Sequence, residues 1–217
     1  MYPLIGAFAG LLLGISSWLA AGHVIKHYRI ADDADAGWLT STRARSLPGL
    51  LTFIASAGWG AYTCRPGLDF PHVTALLVVT ALLLSITLVD MAVRRIPNSL
   101  VLALLGWAVM QSVWLGRPDF EHLAYGVALA GGLFFLIALA GRGAMGAGDV
   151  KLVAALGGLL GYPMILAGIF CGVAAGGLGA GLLLLTRRAG RKDFMPYGPF
   201  LVLGAYVIWA RYLGFWP

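Results

Sequence analysis

Charge is what this sequence has least of. Lys, Arg, Asp and Glu make up 11% of the 217 residues, against 60% hydrophobic ones and a mean hydropathy of +0.87. Soluble globular domains carry about 25% charge; this balance excludes them, and the chain reads as a polytopic membrane protein. Cysteine is nearly as scarce. Cys64 and Cys171 are the only two, so no CxxC pair exists, a zinc ribbon fails on ligand count, and both read as thiols in apolar surroundings. Acids number nine and bases fifteen, a net charge of +6. In a soluble domain that excess would suggest nucleic acid. Here the bases lie in short clusters between apolar runs, where topology and anionic lipid account for them, so no nucleic-acid partner is expected. No Lys or Arg precedes the first apolar run, which is too long for a signal-peptide core and reads as a retained helix.

What is present in quantity is apolar helix. A span needs about 20 residues to cross a hydrocarbon core of about 30 Å, and that ruler draws helices near 3–25, 47–64, 72–90, 98–116 and 121–140. The next run, 150–186, would be about 55 Å long as one helix, too long for one crossing. Gly161-Tyr162-Pro163 is a turn signal inside it. We therefore expect a stunted helix over 150–161 and a second over 163–186, then a last one over 197–214: an all-α bundle of eight membrane helices.

Charge parity supports the split. With eight crossings the odd-numbered loops hold Lys26, Arg29, Arg43, Arg45, Arg94, Arg95, Arg142, Lys151, Arg187, Arg188, Arg191 and Lys192, and the even-numbered loops only Arg65 and Arg117. The positive-inside rule then places odd loops in the cytoplasm and both termini outside. A single crossing over 150–186 would reverse the last four. Residues 26–46 form the one sizeable loop, and its Asp32-Asp33-Ala34-Asp35-Ala36-Gly37 stretch reads as solvated. The whole, 1–217, is expected to be one membrane-embedded domain.

Against this apolar ground one stretch stands out. Met145-Gly146-Ala147-Gly148-Asp149-Val150-Lys151-Leu152 sets a carboxylate between glycines, and from Leu152 to Thr186 no charged residue follows. An ionisable group at the mouth of an apolar segment is a functional candidate whose partner must be found. Asp90 closes the third expected helix and Asp149 opens the sixth, with two crossings between them, which puts both at cytoplasmic helix ends. Two carboxylates sharing a proton around a water form an acid/base pair, since like charges at close range do not both ionise. Gly146 and Gly148 would let an extended peptide approach and would permit unusual dihedrals. The plainer reading makes Asp149 a helix cap, with Lys151, Arg94 and Arg95 snorkelling to the interface.

Other polar residues carry less. Ile96-Pro97-Asn98-Ser99 reads as a break and a helix start, capped by Asn98 or Ser99. Pro196-Tyr197-Gly198-Pro199-Phe200 reads as a turn before the last helix. His23 and His27 stand one helical turn apart without a third metal ligand, and His72 and His122 fall at outer loop edges with no role. Along the seventh helix Gly172, Gly176 and Ala180, or Gly177 and Gly181, repeat at the four-residue spacing of close-packed membrane helices.

Three segments together resemble one family. Asp90 followed by Arg95-Ile96-Pro97-Asn98, then Gly146-Ala147-Gly148-Asp149-Val150-Lys151-Leu152, then Pro196-Tyr197-Gly198-Pro199-Phe200-Leu201 are similar to the D…IPN, GxGDxKL and PFGPFL signatures of type IV prepilin peptidases, membrane aspartic peptidases of the GxGD class. The resemblance covers about 72–214. It implies cleavage of the short basic leader of type IV prepilins or pseudopilins, after a glycine and usually before phenylalanine, on the cytoplasmic side of the bacterial inner membrane, for pilus assembly or protein secretion. Asp90 and Asp149 match the two catalytic aspartates; Gly146, Gly148, Lys151, Arg95, Pro97 and Asn98 frame them, and Pro196, Gly198 and Pro199 form a turn on the substrate face. Full-length members carry a zinc-binding CxxC domain after the first helix and many methylate the new N-terminus with S-adenosylmethionine. Residues 26–46 stand in its place without cysteine, and Gly6-Ala7-Phe8-Ala9-Gly10-Leu11 departs from the family's GSFLN-type start. A short form follows, with no zinc, with no cofactor needed for cleavage, and with S-adenosylmethionine entering only if methylation is retained. No oligomeric state follows from the motifs. The competing readings are a proton- or cation-coupled transporter, which needs acids at the midplane, and a non-enzymatic secretion assembly factor.

Overall fold

The computed structural model describes residues 70–141, 145–185 and 197–214, together with Gly22. Among the described residues there are six α-helices and no strand: α1 Phe70–Val93, α2 Asn98–Leu115, α3 Phe120–Ala140, α4 Ala147–Leu160, α5 Met164–Leu185 and α6 Gly198–Tyr212. Four of them, over Pro71–Val93, Asn98–Leu115, Phe120–Ala140 and Met164–Gly181, are long and apolar enough to cross a membrane. This is a helical membrane bundle. The expected helices near 3–25 and 47–64, the 26–46 loop, Cys64, His23, His27 and Pro196 lie outside the described residues. With 15 residues, α6 is about 22 Å long and shorter than the span expected over 197–214.

The chain forms two compact units, residues 1–103 and 104–217, dividing within α2. In the first, α1 turns one face inward: Val79, Leu83, Ile86 and Asp90 recur at helical spacing and are all buried. Ser85 bonds back to the Ala81 carbonyl at 2.7 Å, which satisfies its hydroxyl within the helix. The helix runs past Asp90, where the sequence placed its end, to Val93. It stops because Arg94 takes a left-handed backbone, φ 54, at a cost of about 1–2 kcal/mol for a non-glycine residue. Ile96 is then held extended by the proline after it. The N-cap position of α2 falls on Pro97, one residue before the expected Asn98 or Ser99. Its carbonyl accepts from the Leu100 and Val101 N–H groups at 3.2 Å each, and proline has no N–H to leave unsatisfied there.

In the second unit α3 crosses α4 and α5 crosses α6, each through glycine. Gly126 and Gly157 stand back to back, so a Cβ on either would press into the other's carbonyl oxygen, and a Cβ on Gly131 would lie 3.0 Å from Ala154 Cβ. Gly204 sits against Gly168 and Gly172, where a Cβ would come within 2.5 Å of the Gly168 carbonyl oxygen. Backbones this close gain dispersion contacts that larger residues would block, the usual glue of helices in lipid. Of the two small-residue stripes on α5, the one through Gly172 and Gly176 meets Phe200, Leu201 and Tyr197; a Cβ on Gly177 or Gly181 would meet no atom of the described residues within 4 Å.

The stunted helix is the centre of this unit. Leu152, Val153 and every residue from Ala155 to Leu160 are buried, and α3, α5 and α6 all pack on α4. It ends as expected at Gly161, φ 69, where any side chain would strike Pro118. The Tyr162 N–H donates to the His122 carbonyl at 2.9 Å, tying the α4–α5 turn to the start of α3. Beside that turn Gln111, fully buried, donates to the carbonyls of Arg117 (2.8 Å) and Leu159 (3.4 Å) and accepts from Trp209 Nε1 (3.0 Å). One side chain thus joins α2, α4 and α6.

Candidate active site

Asp149 owes its place to the way α4 begins. The helix starts at Ala147, three residues earlier than the apolar pattern indicated, because Gly146 occupies the N-cap position and its carbonyl accepts the Asp149 N–H at 3.1 Å. Asp149 is therefore not the cap but the third helical residue. Its half-buried carboxylate turns back over Gly146, toward that residue's backbone N–H, which supplies one of the contacts a helix's first turn lacks. Three residues further on the helix is enclosed by its neighbours. The rigid, buried body of α4 thus holds a carboxylate at its one open end.

The glycines act through clearance. Gly146 has φ −69 and ψ 141, an extended conformation open to any residue, so no unusual dihedral explains it. A Cβ there would lie 3.5 Å from Asp149 Oδ2, an ordinary contact, and the position is exposed. What glycine leaves is room on the outer side of the carboxylate. Gly148 is half-buried in the same turn, and Lys151 is exposed two residues beyond Asp149.

Asp90 is set differently. Only 5% of it is accessible, and it lies one turn inside α1, on the buried stripe. Burial of a carboxyl is expensive unless chemistry or partners justify it. Arg95 and Asn98 are exposed and Pro97 is buried in the turn that follows. The residues singled out in the sequence thus gather in two groups: Asp90, Arg95, Pro97 and Asn98 around the α1–α2 turn of the first unit, and Gly146, Gly148, Asp149 and Lys151 in the first turn of α4 in the second. In the third segment the turn closes at Tyr197, whose carbonyl accepts from Phe200 and Leu201 at 3.2 and 3.3 Å; Gly198 and Pro199 are the first two residues of α6 rather than part of a preceding turn.

Two features escaped the sequence. Gln111 carried a signal, a lone amide within an apolar span, that the charge count passed over. At the opposite end of α4 from Asp149, Asp119 is the N-cap of α3. Its Oδ1 accepts from the His122 backbone N–H at 3.0 Å and contacts His122 Nδ1. Among the described residues no three His, Cys, Asp or Glu side chains come together to hold a metal ion.

Residues 77–184 match the Type IV leader peptidase family, a segment that contains both Asp90 and Asp149. The chain is 30% identical over 178 residues to a prepilin leader peptidase/N-methyltransferase of Aeromonas hydrophila, covering 77% of this chain and 59% of that protein. It is 29% identical over 130 residues to one of Bacillus subtilis (59% and 52%) and 28% identical over 168 residues to one of Escherichia coli (70% and 72%). The chain spans 52–59% of the length of the first three relatives it matches. No solved structure matches.

Proposed function

Because the chain belongs to the type IV leader peptidase family, we propose that it is an aspartic endopeptidase that removes the short basic leader of type IV prepilins or pseudopilins, in pilus assembly or type II secretion. The observation that carries this reading is the pair of acids inside the matched segment, one buried on the inward stripe of α1 and one at the open end of the enclosed α4. In the proposed reaction one carboxylate takes a proton from water, the water oxygen attacks the scissile carbonyl, and the other, protonated carboxyl donates a hydrogen bond to the developing oxyanion. Collapse passes that proton to the leaving amine. Lys151 and Arg95 bias which acid holds the charge, Gly146 and Gly148 leave room for an extended peptide, and Pro97 with Asn98 fixes the turn beside Asp90. Gly198 and Pro199 contribute the start of α6 to the substrate side, with Pro196 before them.

The same reading sets eight crossings in the bacterial inner membrane with both termini outside and the acids at the cytoplasmic face. Support comes from the loop charges and from the turn at Gly161, which the parity argument requires. In this reading cleavage needs neither zinc nor S-adenosylmethionine, which enters only if methylation is retained.

The test is incubation of the chain, in lipid, with a substrate bearing a basic leader that ends in glycine before phenylalanine, with and without S-adenosylmethionine. We expect a product shortened at that glycine in both cases; a methyl group on the new N-terminus in the presence of S-adenosylmethionine would show that methylation is retained. An intact substrate, together with gradient-driven ion flux in liposomes, would favour the transporter instead.

A further inference from the structure

The end of the bundle away from Asp149 carries a second site. Along α4, Gly161 lies about 18 Å from Asp149, and there the end of α2, the start of α3, the α4–α5 turn and the end of α6 border an open cleft of about 310 Å³, at the small end of ligand sites of about 300–1,000 Å³. Arg117, Asp119, His122, Tyr162, Met164 and Tyr212 line it. Three of these helices are long and apolar enough to cross a membrane and end at this level; as spans they would put the cleft at headgroup depth, and this inference rests on that membrane reading but not on the peptidase chemistry.

The charges lining the cleft are opposite, and they do not neutralise each other. Arg117 is exposed and makes no ion pair among the described residues. Asp119 is paired with His122 through Oδ1 alone; Oδ2 makes no hydrogen bond among the described residues. His122 Nδ1 faces the carboxylate; in the neutral tautomer that carries its proton on Nδ1, Nε2 is an acceptor. The spacing of cation and acceptors is held by the backbone: the Arg117 carbonyl is bonded to Gln111, and Pro118 is wedged against Gly161. Tyr162, Tyr212 and Met164 complete the lining.

A guanidinium lining the same cleft as a carboxylate and an imidazole suits a ligand that carries both an anion and a hydrogen-bonding cation. We propose that this cleft binds the headgroup of a zwitterionic phospholipid with a primary ammonium, phosphatidylethanolamine: phosphate on Arg117 and a tyrosine hydroxyl, ammonium on Asp119, His122 Nε2 and the ring faces. A choline headgroup keeps the charges but has no N–H to donate.

The test is native mass spectrometry and thermal unfolding of the full chain in detergent, with phosphatidylethanolamine, phosphatidylcholine or phosphatidylglycerol added, and with soluble phosphoethanolamine and inorganic phosphate as separate arms. Phosphatidylethanolamine is retained over phosphatidylcholine by about five- to tenfold, the scale of one charge-assisted hydrogen bond, and Asp119→Asn, which still caps α3, removes that preference. Arg117→Gln weakens retention of all three lipids. Equal retention of ethanolamine and choline lipids by the wild type, or a preference unchanged in Asp119→Asn, overturns the proposal. Protection by the soluble compounds equal to that by lipid would assign the cleft to a free phosphate compound and overturn the lipid source.

Discussion

Gly146 separates two uses of glycine that look alike in a sequence. Its dihedrals suit alanine and its missing Cβ would touch nothing closely, so Gly146→Ala is expected to fold and unfold as the wild type does. If the space beside Asp149 receives the substrate strand, that variant raises KM about 3–10-fold, a cost of about 1 kcal/mol in substrate binding, while kcat changes less; steady-state cleavage kinetics separates the two. Asp119 offers a pH test. The backbone N–H of His122, and then its ring, hold the Asp119 carboxyl below the ordinary 3.8. A depressed folded-state value means that the stabilisation is present above the unfolded value of about 3.9 and is lost as pH falls through the folded one. Thermal unfolding of wild type and Asp119→Asn should therefore differ most near neutrality and converge toward pH 3 and below. At this scale the two aspartates were visible in the sequence because acids are so few. Their depth was not: Asp90 lies buried on the inward stripe of an α1 that continues for three residues beyond it, and the helix ends on a left-handed arginine that no propensity anticipates.

Helix crossings obey a sharper rule than the small-residue pattern that announces them. Gly126→Ala places a methyl group against the Gly157 carbonyl and should cost about 1–3 kcal/mol through overpacking. Gly177→Ala, on the side of α5 where a Cβ would meet no described residue, should be neutral or gain up to about 1 kcal/mol from the lower backbone entropy lost on folding. Reversible unfolding in detergent compares them. Gln111→Leu should cost about 1–2 kcal/mol, as it strips the Trp209 indole N–H of its acceptor. The turn at Gly161, the short α4 and the start of α5 were readable from glycine, proline and an apolar run too long for one crossing. The pairing of α3 with α4 was not, since Gly126 and Gly157 are 31 residues apart and only the folded chain sets them back to back; nor was the reach of Gln111, whose three partners come from three separate segments.

For the whole molecule, composition sufficed to identify a helical membrane bundle, and three motifs sufficed to anticipate the family. Periodicity could not show that α6 is shorter than a span or that α4, though stunted, is the most enclosed helix of its unit, because both depend on what packs around them. The proposed chemistry requires Asp90 and Asp149 to act as one pair, and a shared proton predicts a bell-shaped pH dependence of kcat/KM. The most direct measurement is the rate at which Asp90→Asn and Asp149→Asn remove a basic leader, each inserted and unfolding as the wild type does. A pair of acids sharing the work predicts that either change lowers the rate by about 10²–10⁴-fold. Cleavage by either variant at the wild-type rate would contradict it.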